Sequence, residues 1–361
     1  MQYYSIFDRI QEASAYSNGA KTFNDFGLMQ YVGTLGLVLD SLEEDTNKIV
    51  PDSRTLVRTA LNAARIVRAA IDNKVKNPNL ESEILLIKAL DLALEIYKGS
   101  ENINDKIREF RKEADEKLLN KELIQTNDNV TWEALRPNRS IETARRIVDR
   151  HRGEDVMMVA LAHGGVAAGM DVFLRYCDLS RSEGSILYTA RFSTQKLGDK
   201  EPRVTEREAQ ALRQLKKGKS VIIFDEDICS GVTISQAREF FRDKVFGEEV
   251  ETEVNLDRRT EFGDFYKKAM KATLLRKQSR GSWIWNKSGG LQIGNDHYAI
   301  KIPEPLDLAK ALGPSIENST GWGPSKSIMQ EMIGKYNNFL FELNGSNIKP
   351  PKYFEKNLSK I

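Results

Sequence analysis

The stretch Val221-Ile222-Ile223-Phe224-Asp225-Glu226-Asp227-Ile228-Cys229-Ser230-Gly231-Val232-Thr233 decides how this chain is read. Its four apolar residues make a central strand, and two adjacent acids stand at the strand's carboxyl end. A small, hydroxyl-bearing loop with a glycine then opens a helix near Thr233. Open α/β sheets bind ligands at this edge, where strand ends meet helix N-termini. The backbone N–H groups from Cys229 to Thr233, with the Ser230 and Thr233 hydroxyls, suit a phosphate. Gly231 permits close backbone approach and a positive φ. Asp225 and Glu226 have the wrong charge for a phosphate but suit the paired hydroxyls of a sugar, or a magnesium ion beside it. Acids and a phosphate cradle this close together point to a sugar phosphate.

Working outward, short aliphatic runs alternate with helical stretches: VMMVALA (156–162), SILYTA (185–190), SVIIFD (220–225) and KATLLRK (271–277). Such runs suit buried parallel strands joined by helical crossovers, so the fold class is α/β with a mostly parallel sheet flanked by helices. Ser140 is positioned to cap a helix IETARRIVDRHR that Gly153 stops. The first 130 residues are instead written in helix period. Leu56, Ala60, Ala63, Ala64, Val67, Ala70 and Ile71 form one apolar face opposite Arg58, Arg65 and Arg68. A second helix runs from Leu80 to Tyr97 between Pro78-Asn79 and Gly99, and the charged stretch Asn102 to Lys121 reads as a solvated helix or connector. Phe26 to Leu39 reads as a buried helix, and Ser325 to Leu343 as a C-terminal one. The expected organisation is an all-α domain at 1–130, an α/β domain at 131–312, and a C-terminal helix and tail at 313–361.

Composition limits the function classes. The 361 residues are 40% hydrophobic and 29% charged, ordinary for a folded soluble protein. Lys+Arg 54 against Asp+Glu 52 leaves a net charge of +2, so there is no bulk attraction to nucleic acid. Seven cations against three acids in 200–219, and eight against two in 258–280, are local basic densities that read as solvated helix faces before they read as a site for a polyanionic acceptor. Two cysteines cannot make a disulfide framework, and three histidines do not suggest a His-rich metal site. Without an evident signal peptide or a stretch long enough to span a bilayer, the expectation is a cytoplasmic, reduced protein.

With its strand, paired acids, short loop and glycine, the segment 221–233 resembles the signature of the type I phosphoribosyltransferases, which bind 5-phosphoribosyl-1-pyrophosphate (PRPP). The resemblance covers roughly half of the chain, residues 131–312, and implies that family's fold for it. It implies that Asp225 and Glu226 contact the ribose hydroxyls, with Mg2+ nearby, and that Cys229, Ser230, Gly231, Val232 and Thr233 hold the 5-phosphate. His163-Gly164-Gly165, directly after strand 156–162, matches the family's pyrophosphate loop. Arg191 to Thr205, polar and rich in cations, matches its mobile loop, from which Lys196 and Arg203 would reach the pyrophosphate. The implied reaction is displacement of pyrophosphate from C1 of the ribose by a nitrogen acceptor, nucleobase-like or conceivably nucleic acid.

Departures from the pattern are informative. Asp227 stands where the family is usually apolar. Cys229 stands where 6-oxopurine enzymes carry an aspartate base, which argues against such an acceptor. His163 replaces a frequent Arg or Lys. Trp283 and Trp285 are candidates for stacking an acceptor base, although aromatics at i and i+2 equally mark one face of a strand. The first 130 residues carry no motif that points to a family, and an oligomerisation or partner-docking role is the expectation for them. The competing reading is a PRPP- or nucleotide-binding regulatory or effector module of the same fold, including one that hydrolyses its ligand.

Overall fold

The computed structural model describes residues 3–16, 31–48, 50–125, 134–193, 199–228, 232–257, 291–293 and 296–298. Along the N-terminal part run α1 (Ile6–Tyr16), α2 (Leu35–Thr46), α3 (Ser53–Lys76), α4 (Leu80–Lys98), α5 (Ile103–Glu113) and the short α6 (Glu116–Leu119). Capping sets several of these limits. Asp52 accepts from Thr55 N–H at the start of α3, and Asn79 and Ser82 form a reciprocal box at the start of α4. Gly99 then ends α4 in the left-handed conformation, as its sequence implies. The region is not all helix. Strands β1 (Tyr31–Thr34) and β2 (Glu122–Gln125) pair antiparallel, Tyr31 opposite Gln125 and Thr34 opposite Glu122. Of the helix expected over Phe26 to Leu39, residues 26–30 lie outside the described residues, Tyr31–Thr34 is strand, and helix begins at Leu35, where the Thr34 hydroxyl caps the turn by accepting from Leu37 N–H.

The α/β part supplies α7 (Pro137–His151), β3 (Val156–Ala162), α8 (Gly165–Ser180), β4 (Ile186–Arg191), α9 (Glu206–Leu215), β5 (Ser220–Ile228), α10 (Val232–Phe240) and β6 (Glu251–Asp257). The sheet order is β4-β3-β5-β6, and β3 pairs in parallel with both β4 and β5. All seven residues of β3 are buried, as a central strand covered on both faces requires. α7 begins at Pro137 rather than after Ser140, because proline is preorganised for the first helical position. Ser140 instead lies buried inside the helix, accepting from Asn255 Nδ2 at 3.1 Å. KATLLRK (271–277) and the stretch 325–343 lie outside the described residues, and the fourth strand of the sheet is β6.

A single buried core joins the two parts. Val156, Met158, Ala160 and Ala162 of β3, with Ile222 and Phe224 of β5, pack with α8 and with the apolar residues of α3 and α4. The compact unit runs over Met1–Asp227 and Gln236–Leu256, so the boundary expected near residue 130 lies within it. The second unit comprises Ile228–Ser235 and Asp257–Ile361; there β7 (Leu291–Ile293) and β8 (Asp296–Tyr298) pair antiparallel. No helix among the described residues is long and apolar enough to cross a membrane.

Close approach is built into this core. A Cβ at Gly169 of α8 would come within 2.7 Å of the Ala160 Cβ on β3, so glycine lets helix and sheet touch. α3 is buried over most of its surface, and the face opposite its apolar stripe is covered as well. Arg65 is only 4% exposed, with its guanidinium 4.4 Å from the Tyr31 ring centre. Burial, with Arg68 beside it, lowers its pKa to about 10.

Lys74, near the end of α3, is 1% exposed and forms a 2.8 Å ion pair with Glu208 of α9. It also donates to the Arg203 carbonyl at 2.9 Å, and the Tyr188 hydroxyl donates to Glu208. Removing one member of a buried pair strands the other charge. Lys74→Met is accordingly expected to lower unfolding free energy by about 3–5 kcal/mol in urea denaturation.

Candidate functional site

Because β3, β4 and β5 are parallel, their carboxyl ends share one edge of the sheet. Arg191 lies opposite Ala162, and Phe224 lies opposite Ala160, which brings Glu226 level with Ala162 two residues on. A cation from β4, the turn after β3 and an acid from β5 thus line up along one row.

The acids come first. Asp225 Oδ1 accepts from Glu226 N–H at 3.0 Å. Burial pushes the Asp225 carboxyl well above the usual carboxylate range, and the neighbouring Glu226 and Asp227 add to the shift. The Glu226 carboxylate lies against Gly164, in the space that any side chain there would fill. Gly164 has ordinary helical dihedrals, so room rather than φ demands glycine at this position. A Cβ at Gly165 would stand 3.3 Å from the Phe224 carbonyl and 3.5 Å from Asp225 Oδ1. The second and third residues of His163-Gly164-Gly165 are therefore packed beneath the paired acids. Glu226 Oε2 is buried without a hydrogen-bond partner, an arrangement short of positive charge or donors.

The fit to a magnesium ion follows from these atoms. Carboxylate oxygens are hard donors, and magnesium is commonly held by one or two carboxylates plus substrate phosphates and water. Among the described residues, no group of three or more His, Cys, Asp or Glu side chains could enclose a metal alone. Asp225 and Glu226 fit an ion brought in with a phosphate ligand.

On the other side of Ala162 the charges reverse. Asp199, 3% exposed, takes Arg191 Nη2 at 3.2 Å and Arg203 Nε at 3.0 Å. Burial alone would raise the Asp199 carboxyl, but the two guanidiniums hold it below its ordinary range. Arg203 N–H also donates to the Arg191 carbonyl at 2.8 Å, which closes the base of the loop between them.

The helical part also reaches this edge. Asp72 Oδ1 lies 2.8 Å from His163 Nε2 and 3.6 Å from Arg191 Nη1, and Asp72 Oδ2 lies 4.0 Å from Lys121 Nζ. Arg68 Nε donates to the His163 carbonyl at 3.0 Å. The arginine–aspartate spacing along α3 was visible as Arg65, Arg68 and Asp72 at intervals of three and four, one stripe of a helix face. Nothing in the sequence says that this stripe meets the strand ends.

Of the residues singled out from sequence, the structure brings together His163, Gly164, Gly165, Asp225 and Glu226. Arg203 is tied to the same edge through Asp199 and Arg191. Lys196, Cys229, Ser230, Gly231, Trp283 and Trp285 lie outside the described residues, and so does the Val232 side chain. Thr233 is half-buried in the first turn of α10.

Two outcomes test this geometry. Because the Asp225 carboxyl is raised on folding, its ionisation opposes folding as pH rises from the unfolded value toward the folded one. Asp225→Asn should therefore raise Tm at pH 7–8 and lose that advantage near pH 4, as read by calorimetry across pH. Gly164→Ala should displace the Glu226 carboxylate and lower Tm relative to wild type in the same measurement, because the new methyl group has no space.

No protein-family model matches the sequence and no curated protein matches it.

Proposed function

We propose that the chain is a magnesium-dependent phosphoribosyltransferase that uses PRPP and releases pyrophosphate on transfer to a nitrogen acceptor. The observation that carries the reading is the packing of Glu226 and Asp225 over Gly164-Gly165, with Arg191 at the same level on the far side of Ala162. A ligand whose neutral hydroxyls meet the acids and whose diphosphate meets the cations matches that separation of charge.

In this reading Asp225 and Glu226 accept hydrogen bonds from the ribose hydroxyls, and residues 229–233 take the 5-phosphate. The backbone of 163–165 and the cations Arg191, Lys196 and Arg203 serve the pyrophosphate. The bond from C1 to the pyrophosphate oxygen breaks as the acceptor nitrogen bonds to C1, and the electron pair leaves with pyrophosphate. The transition state resembles an oxocarbenium ion, so positioned donors at the departing oxygens lower the barrier and no covalent enzyme nucleophile is needed. Magnesium, when bound, supplies charge neutralisation for the diphosphate. Association through the helical part belongs to the same proposal; Leu80, Ile84 and Ile87 on α4, each about half exposed, are the apolar surface that supports it.

One observation favours the second reading, a PRPP- or nucleotide-binding module that regulates a partner. Arg191 and Arg203 are both held on Asp199, and Lys74 fixes the Arg203 carbonyl, so the base of the loop is anchored rather than poised to close. The experiment is calorimetric titration of PRPP with magnesium into wild type and into Asp225→Asn/Glu226→Gln. Micromolar-range binding to wild type that weakens at least about tenfold in the double variant supports the site. Absence of PRPP binding to folded wild type overturns it. Bound PRPP with pyrophosphate released on addition of an acceptor distinguishes transferase from sensor.

A further inference from the structure

The pyrophosphate loop of the proposed site is held by a residue from the helical part. His163 is touched from several directions: Asp72 and Arg68 from α3, with Arg191 from β4 and Lys121 beside β2 reaching the same Asp72 carboxylate. Glu226 from β5 stands over the adjacent Gly164. Asp72 engages the ring at Nε2, and Arg68 engages the main-chain carbonyl of the same residue. The imidazole is thus fixed at its far nitrogen while its backbone is fixed separately, and Nδ1 is the ring nitrogen that Asp72 does not engage. Burial alone would raise the Asp72 carboxyl, but the hydrogen bond to His163 and the charges of His163, Lys121 and Arg191 hold it low. An ionised carboxylate is therefore the hub of three cationic or potentially cationic groups, each less than 40% exposed.

We propose that Asp72 is a positioning residue of the diphosphate side of the site: it orients His163 and Arg191 for the ligand's pyrophosphate, which makes α3 a working part of the binding edge. This inference rests on the PRPP reading. It predicts a selective effect, since Asp72 touches the groups assigned to the pyrophosphate and none of those assigned to the ribose 5-phosphate.

The test is calorimetric titration of magnesium-PRPP and, separately, ribose 5-phosphate into wild type, Asp72→Ala, His163→Ala and the double variant. Asp72→Ala should weaken PRPP binding about tenfold while ribose 5-phosphate affinity stays within about twofold, and should cost less when His163 is already alanine, the remainder passing through Arg191. Asp72→Asn, which keeps the shape and one acceptor oxygen, should show a smaller loss with the same selectivity. PRPP binding that is unchanged or tighter in Asp72→Ala overturns the inference and leaves the PRPP site standing. An equal loss of both ligands in both Asp72 variants overturns it too, by showing a structural role. A loss on the His163→Ala background as large as the loss from wild type overturns the inference, because none of the effect then passes through His163. Wild type that binds ribose 5-phosphate but binds PRPP no more tightly removes the diphosphate side and this inference with it. Wild type that binds neither removes the PRPP reading as well.

Discussion

Helix α3 has to be close to its neighbours on every side at once. It packs on α1, α2 and α4 within the helical part and on α8 and β4 within the α/β part, and its composition reflects that demand. Ala60, Ala63, Ala64, Ala69 and Ala70 keep it slim, while Leu56, Val57, Ile66, Val67 and Ile71 fill the gaps. The polar groups that it carries into the interior find partners by geometry. Arg58 pairs with Asp45, Lys74 with Glu208, and Asp72 with His163, and these partners belong to three different regions of the chain. The apolar packing supplies most of the adhesion, and the polar contacts fix how the helix is rotated and how far it is advanced.

That placement determines the electrostatics of the sheet edge. The acids at the end of β5 are crowded and partly desolvated, while the cations at the end of β4 are gathered around Asp199 and Asp72. Ala162 and the two glycines after His163 lie between the two groups and contribute only backbone. Glycines in this place allow a carboxylate to lie directly on the loop, and they leave the loop's N–H groups within reach of a ligand. The row thus carries acids at one end and carboxylate-paired cations at the other.

Much of the sheet was legible because its strands are apolar throughout. VMMVALA is read at the limits it has in the structure, and SILYTA differs from β4 by one residue at each end. SVIIFD is the start of a longer strand, since Asp225, Glu226 and Asp227 remain extended despite their polarity. β6 went unseen because ETEVNLD alternates charge with apolar residues and its buried positions are few. At the site, the β5 acids and the glycine pair were visible from residue type and spacing alone. Asp72, Arg68 and Lys121 were not, since their importance comes from a contact between regions some ninety residues apart for Asp72 and His163. The burial of Arg65 was hidden for the same reason: helical period shows which residues share a face and is silent on whether a second layer covers it.

The small ribbon of β1 and β2 has a consequence for how the helical part holds its shape. Tyr31–Thr34 and Glu122–Gln125 are neighbours in space, so the chain carrying α2 to α6 leaves and returns through one neck. Closing a loop of that length costs an entropy that grows only with the logarithm of the number of residues, and a short ladder of main-chain bonds at the neck is a compact way to meet it. Once the neck is shut, the ends of the loop cannot drift apart, and the helices inside lose most of their freedom to slide along one another. The register of four residue pairs at the neck thereby sets the datum from which α3, far along the loop, is measured out to the sheet.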